Sequence, residues 1–330
     1  MQGTLTIHTI AGVHHVPCRV DGAPPRGRFE LVFTTALSAY VESCTDPSYA
    51  GQALALAHPV VGAHGMPSSA MQSTHVQPAI VIASSPTPSF VRWIVESGGC
   101  IATCTDVRSM VALARDGADV NVDGHDGARV TPTPQPSLAP DGAAGDVLSV
   151  DFGCKLSIVQ QLHRRGLSTR AVDPTAALGL INAGDYTAIL LSNGPGDPRR
   201  DALGTTVAAA AISTGAPTLG ICYGHQLLAI ADGMRIIPLA CGHRGTNHPV
   251  TNIMTGCTSV TSHNHGFAVS EPCTNAVAVT YRSALDGTVE GIARLGYSGV
   301  QFHPEGAPGP QLDEVMDSFT KAVNGARRST

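Results

Sequence analysis

Residues 218–230 read Thr-Leu-Gly-Ile-Cys-Tyr-Gly-His-Gln-Leu-Leu-Ala-Ile. An apolar run ends at a cysteine, and a helix-like segment follows at once. This is the layout of a nucleophile elbow. A strand delivers a side chain to a sharp turn, and the N-terminal N–H groups of the next helix point at it. The pattern predicts that Cys222 is a nucleophile at the carboxyl end of a strand. A thiol attacks as its thiolate, so a base has to come from elsewhere in the chain. Residues 299–305, Gly-Val-Gln-Phe-His-Pro-Glu, offer one. His303 is the residue type that takes a thiol proton and returns it to a leaving group. Glu305 lies two residues on. In an extended segment such positions share a face, so Glu305 is expected to orient His303.

The chain around the elbow alternates. Strands are read at 147–150, 168–172, 186–191 and 218–222, and helices at 155–164, 175–183, 204–214 and 224–232. That alternation predicts an α/β fold with a mostly parallel sheet flanked by helices, and a site at the carboxyl ends of the strands. Beyond residue 240 shorter strands rich in β-branched residues are expected, with a final helix over 311–325. Upstream, the stretch 131–145 is rich in proline and glycine and reads as a linker. It divides a first domain, 1–130, from a second, 146–330. The first half is read as a smaller α/β domain, with strands at 31–35 and 79–83 and helices at 90–97 and 110–114.

Bulk properties exclude several classes. The 330 residues suffice for two cores, and 43% hydrophobic content argues for a globular chain. A formal charge of −5 gives no electrostatic footprint for nucleic acid. No apolar run is long enough for a membrane helix, and the N-terminus lacks the charged start and apolar core of a secretion signal. Nine scattered cysteines, an odd number with no Cys-x-x-Cys pair, fit a reduced cytoplasmic setting and no zinc set.

Two further segments carry chemistry. Ser-Asn-Gly-Pro-Gly-Asp-Pro at 192–198 lets backbone approach a ligand closely around Gly194 and Gly196. Its N–H groups, with that of Tyr223, are expected to stabilise an oxyanion. No Gly-Lys-Ser/Thr follows, so it is not a phosphate loop. Ser-His-Asn-His-Gly-Phe at 262–267, with His243 and His248, invites a metal reading. No acidic or cysteine ligand stands at a recognised spacing, so no metal is expected and Asn-His-Gly is read as a turn.

Together, Gly-Ile-Cys-Tyr-Gly-His-Gln, Ser-Asn-Gly-Pro-Gly-Asp-Pro and Phe-His-Pro-Glu resemble the class I glutamine amidotransferases, which hydrolyse glutamine and hand ammonia to a partner. More narrowly, the chain is similar to the small, glutamine-hydrolysing subunits of carbamoyl-phosphate synthetase. That resemblance rests on Gly-His-Arg-Gly-Thr-Asn-His-Pro-Val at 242–250, Asn-His-Gly-Phe-Ala-Val at 264–269, Gly-Ala-Pro-Gly-Pro at 306–310 and Asp-Phe-Gly-Cys-Lys at 151–155. In the first half it rests on Phe33-Thr34-Thr35, Ala39-Tyr40 and Thr45-Asp46-Pro47-Ser48-Tyr49. It implies a Cys222–His303–Glu305 triad. It also implies glutamine contacts at Ser48, Gly194, Gly196, Tyr223, Gln226, Asn264, Gly266 and Phe267, with Ser48 reaching the substrate from the first domain. It implies a synthetase large subunit as partner, which would hold the ATP and Mg sites, and no cofactor in this chain. Tyr223 departs from the family's usual leucine, and 66–130 is shortened. Two alternatives stand beside this reading: a glutaminase serving a divergent synthetase in a specialised pathway, and a non-catalytic regulatory paralogue.

Overall fold

The computed structural model describes residues 1–122, 128–133, 135–136, 146–271 and 276–328. Most of the expected linker lies outside these residues. The chain forms two compact units, Met1–Thr133 with Ala240–Gly245, and Pro134–Leu239 with Thr246–Thr330.

The first unit holds β1 (Gln2–Thr9), β2 (Gly12–Asp21), β3 (Phe29–Thr34), β4 (Gln52–Leu56), β5 (Val60–Val61), β6 (Ile80–Ala83), β7 (Ser85–Pro86), β8 (Ile101–Cys104) and β9 (Asp119–Val122). Seven of these close a barrel in the order β1-β2-β8-β6-β4-β3-β9. Closure leaves no open sheet edge. Alternating side chains such as Leu5, Ile7, Leu31, Phe33, Ile80 and Ile82 form one core of the unit. Helices α1 (Tyr40–Thr45), α2 (Pro88–Glu96) and α3 (Val107–Arg115) accompany the parallel β3–β4–β6–β8 run. Thr87 caps α2 and Asp106 caps α3 through their side-chain oxygens. Strands at 31–35 and 79–83 and helices at 90–97 and 110–114 appear close to their expected places. Strands β1, β2, β4, β8 and β9 were not anticipated.

The second unit is built on one nine-stranded sheet: β10 (Val147–Val150), β11 (Thr169–Val172), β12 (Ala188–Leu191), β13 (Thr218–Ile221), β14 (Ile236–Asn252), β15 (Thr258–Val269), β16 (Ala278–Ser283), β17 (Val289–Arg294) and β18 (Tyr297–Val300). Their order is β11-β10-β12-β13-β18-β17-β15-β14-β16. Pairing is parallel from β11 through β18. Strands β10, β12 and β13 are buried at every position, as parallel strands covered on both faces are. The covering helices are α4 (Leu156–Arg164), α5 (Pro174–Ala183), α6 (Ala202–Thr214), α7 (Tyr223–Ala231) and α8 (Asp313–Arg327).

Two expectations are corrected. The region past 240 is not a set of short strands only: β14 runs for 17 residues and β15 for 12. Asn-His-Gly at 264–266, expected as a turn, lies instead inside β15. It is extended because β15 runs between β17 and β14 in the sheet, where backbone groups pair with neighbouring strands and not within a turn.

Candidate active site

Cys222 stands between β13 and α7 with φ 52° and ψ −98°, and among the described residues it is the one non-glycine with positive φ. A side chain in this sparsely populated region costs about 1–3 kcal/mol. Glycines make the turn possible. A Cβ on Gly224 would lie 2.1 Å from the carbonyl oxygen of Leu191, and one on Gly220 would lie 2.7 Å from the backbone of Gly224. The two glycines therefore let α7 start directly against the ends of β12 and β13.

Parallel pairing supplies the rest. Strand β13 pairs with β18, Ile221 opposite Val300, and the Cys222 amide donates to Val300 O at 2.8 Å. Cys222 and His303 thus leave the carboxyl ends of adjacent strands. The chain after β18 is bent, not extended as expected. His303 bridges to Ser262, its amide donating to Ser262 O at 2.8 Å, and a turn at Pro304 follows. The turn delivers the expected contact by another route: His303 Nδ1 lies 2.8 Å from Glu305 Oε1. Nε2 makes no hydrogen bond among the described residues, so it is the ring atom left for proton exchange.

Lys155 was not read as a site residue. It is 1% exposed, and its Nζ donates to Glu305 Oε1 at 2.6 Å. Burial by itself raises the Glu305 pKa, but Lys155 and then His303 outweigh it and hold the carboxyl at about 2. Glu305 is therefore a fixed anion that keeps the His303 proton on Nδ1. Gln301 was also missed. Its Nε2 donates to Cys222 Sγ at 3.6 Å, while Sγ lies 3.7 Å from Asn264 O. Both residues sit inside quoted motifs, but their contacts cross from one strand to another. His225, also within the elbow motif, is excluded as a base. Full burial pulls its pKa to about 3, and it packs against Gly299.

The remaining expected contacts fall as follows. Gly194 packs on Phe152, where a Cβ would lie 2.5 Å from the carbonyl oxygen, and Gly196 takes φ 101°. Both therefore need glycine for backbone reasons. Gln226 Nε2 donates to Phe267 O at 3.0 Å and to Gln301 Oε1 at 2.9 Å. Asn264, Gly266 and Phe267 follow one another on β15. The Tyr223 hydroxyl donates to Asp201 Oδ2 at 3.0 Å, and Asp201 caps α6. The tyrosine that departs from leucine thus ties α7 to α6, while its amide opens α7. Ser48 belongs to the first unit, buried on a short 3-10 turn where its amide donates to Asp46 Oδ1 at 2.9 Å.

Comparison with known proteins gives two family matches. "Glutamine amidotransferase class-I" matches residues 148–323, and "Carbamoyl-phosphate synthase small chain, CPSase domain" matches 15–116. The chain is 33% identical to the carbamoyl phosphate synthase small chain of Chlorobaculum tepidum, over 89% of this chain and 91% of that one. It is 32% identical to the same protein of Symbiobacterium thermophilum, over 94% and 96%. Among solved structures, a glutamine amidotransferase from Thermotoga maritima has TM-score 0.39 and 15% identity, over 57% of this chain and 85% of that one.

Proposed function

The chain belongs to the carbamoyl-phosphate synthase small-chain family, with a class I glutamine amidotransferase domain, and from this premise we propose that it hydrolyses L-glutamine through Cys222 and passes the ammonia to a synthetase large subunit. The observation that carries the reading is the strained elbow cysteine beside a histidine held by a buried carboxylate.

His303 Nε2 takes the thiol proton, and Sγ attacks the side-chain carbonyl carbon of glutamine. The oxyanion is held by N–H groups of the Gly194–Gly196 turn and of Tyr223. Nε2 then gives its proton to the departing nitrogen, so ammonia leaves and a γ-glutamyl thioester remains on Cys222. Water, deprotonated by His303, attacks the thioester; glutamate is released and the thiol is restored. Glu305, kept anionic by Lys155, supports the imidazolium at both stages. Gln226, Asn264, Gly266 and Phe267 are assigned to the glutamine.

The synthetase partner would supply ATP, its magnesium and the bicarbonate chemistry that leads to carbamoyl phosphate for arginine and pyrimidine synthesis. A cytoplasmic setting fits that role. Among the described residues, no helix is long and apolar enough to cross a membrane.

The test is glutamate release by the purified chain and by Cys222→Ser, with and without a synthetase large subunit. The serine variant is expected to lose at least about 10³-fold in rate, because an alkoxide is far harder to form than a thiolate. Undiminished hydrolysis would remove Cys222 from the mechanism.

A further inference from the structure

Residues 197–201, Asp-Pro-Arg-Arg-Asp, follow directly on the Gly194–Gly196 turn and belong neither to the triad nor to the assigned glutamine contacts. Pro198–Arg200 form one 3-10 turn. Asp197 caps it, Oδ1 accepting from the Arg199 amide at 3.1 Å. The same carboxylate takes the Arg199 side chain. Nε donates to Oδ1 at 2.8 Å and Nη2 to Oδ2 at 2.7 Å. Two parallel bonds fix the plane of a guanidinium, which a lysine could not reproduce. Burial by itself raises the Asp197 pKa, but the bonds from Arg199 outweigh it and hold the carboxyl below its ordinary value. The fork is therefore charged on both sides.

The fork presents one face of the guanidinium to β15. Arg199 Cζ lies 4.9 Å from the centre of the Phe267 ring, within the range of a cation–π contact. Phe267 is half-buried against the core of the sheet unit, and its carbonyl accepts from Gln226 at 3.0 Å. The Arg199 side chain is 43% exposed, so its pairing with Asp197 alone would be a surface ion pair of little value. The stack gives that pair a second end. It joins the chain leaving the Gly194–Gly196 turn to the strand that carries Asn264, Gly266 and Phe267. At the other end of the same segment, Asp201 Oδ2 accepts from the Tyr223 hydroxyl at 3.0 Å and Oδ1 from the Gly204 amide at 2.7 Å. Residues 197–201 thus connect the glycine turn, the start of α7 and β15.

We propose that Arg199 is a positioning residue for glutamine: gripped by Asp197 and stacked on Phe267, it fixes the spacing between the Gly194–Gly196 turn and the contacts on β15. The proposal rests on the glutaminase reading. Arg199 touches none of the reacting atoms, so its effect falls on binding and not on the chemical step. Without the stack the turn and the strand are free to move apart, and part of the binding energy of glutamine is then used to restore their spacing. Ground state and transition state share that loss equally, which raises KM and leaves kcat in place.

The test is glutamate release by the full chain with a synthetase large subunit present, read as kcat and KM separately. Arg199→Ala is expected to raise KM about fivefold and to leave kcat within about twofold. Arg199→Lys keeps the charge without the fork, and its KM should fall between wild type and Arg199→Ala. Phe267→Leu keeps the backbone contacts and removes the ring. In that background Arg199→Ala should move KM by less than about 1.5-fold, because the two residues act as one contact. An unchanged KM in Arg199→Ala, or a loss confined to kcat, overturns the proposal. A full fivefold effect in the Phe267→Leu background overturns it equally. If Phe267→Leu fails to fold, Arg199→Ala and Arg199→Lys still decide. A wild-type chain that releases no glutamate defeats the glutaminase reading and this proposal with it, whereas active wild type with an indifferent Arg199→Ala defeats this proposal alone.

Discussion

Glu305 and Glu290 are both buried carboxylates beside histidine in the sheet unit, and their neighbours differ. Glu305 has Lys155 at 2.6 Å and His303 at 2.8 Å, so its counter-charge is written into the chain. Glu290 Oε2 lies 3.6 Å from His263 Nδ1 and 3.7 Å from His265 Nε2, and its Oε1 accepts from the Thr288 hydroxyl at 3.2 Å. The first arrangement holds one protonation state, as a catalytic base requires. The second sets a carboxylate against two histidines of a neighbouring strand. The buried lysine is what sets the carboxylate of the proposed catalytic base apart.

The sharpest way to break this comparison is to take the cation away from the first cluster. Lys155→Met leaves Glu305 buried without its ammonium, and removing one member of such a pair costs about 3–5 kcal/mol. The expected result is a lower urea midpoint together with loss of glutaminase activity. Lys155→Met with Glu305→Gln should regain part of the stability and none of the activity. A single variant as stable as wild type would show that Lys155 does not neutralise Glu305.

Acid sharpens the contrast further. The folded pKa of Glu305 is about 2, against an ordinary value of 4.5. A depressed folded pKa stabilises above the unfolded value, and that stability is lost as pH falls from about 4.5 toward about 2. The loss should be on the order of 3 kcal/mol. Urea midpoints measured across this window should drop steeply in wild type and much less in Lys155→Met.

The smallest expected effect lies where the two clusters approach each other. Gln301 donates to Cys222 Sγ and accepts from Gln226, whose other acceptor, Phe267 O, is shared with His265. Gln301→Met removes a donor to the thiolate, worth about 1.5 kcal/mol. The expected outcome is a kcat/KM about tenfold lower with the urea midpoint unchanged. An unchanged kcat/KM would show that Gln301 does not support the thiolate.

The same contrast marks what the sequence reveals. Cys222 was legible because the elbow is local: apolar strand, glycine, cysteine, glycine and helix are contiguous. His303 and Glu305 were legible because two positions separate them, even though a turn rather than an extended strand brings them together. Lys155 meets Glu305 across 150 residues, and Glu290 meets His265 across a strand junction. Such pairings follow from strand order, which no local pattern encodes. The barrel escaped for a related reason. Strand β2 is mostly exposed along its first half, and its pairing with β8 joins residue 18 to residue 104. The alternation α4, α5, α6 and α7 was legible because its strands are short apolar runs between well-marked helices.

The backbone at Cys222 has a consequence for how such chains diverge. Any side chain there bears the strain of φ 52°, and glycine alone escapes it. A descendant that ceased to use its thiol would gain stability by mutating this codon to glycine, with no compensating change elsewhere. The elbow thus works as a ratchet: once the chemistry is no longer under selection, drift favours its erasure. A cysteine at this position marks a lineage in which the reaction is still worth its strain.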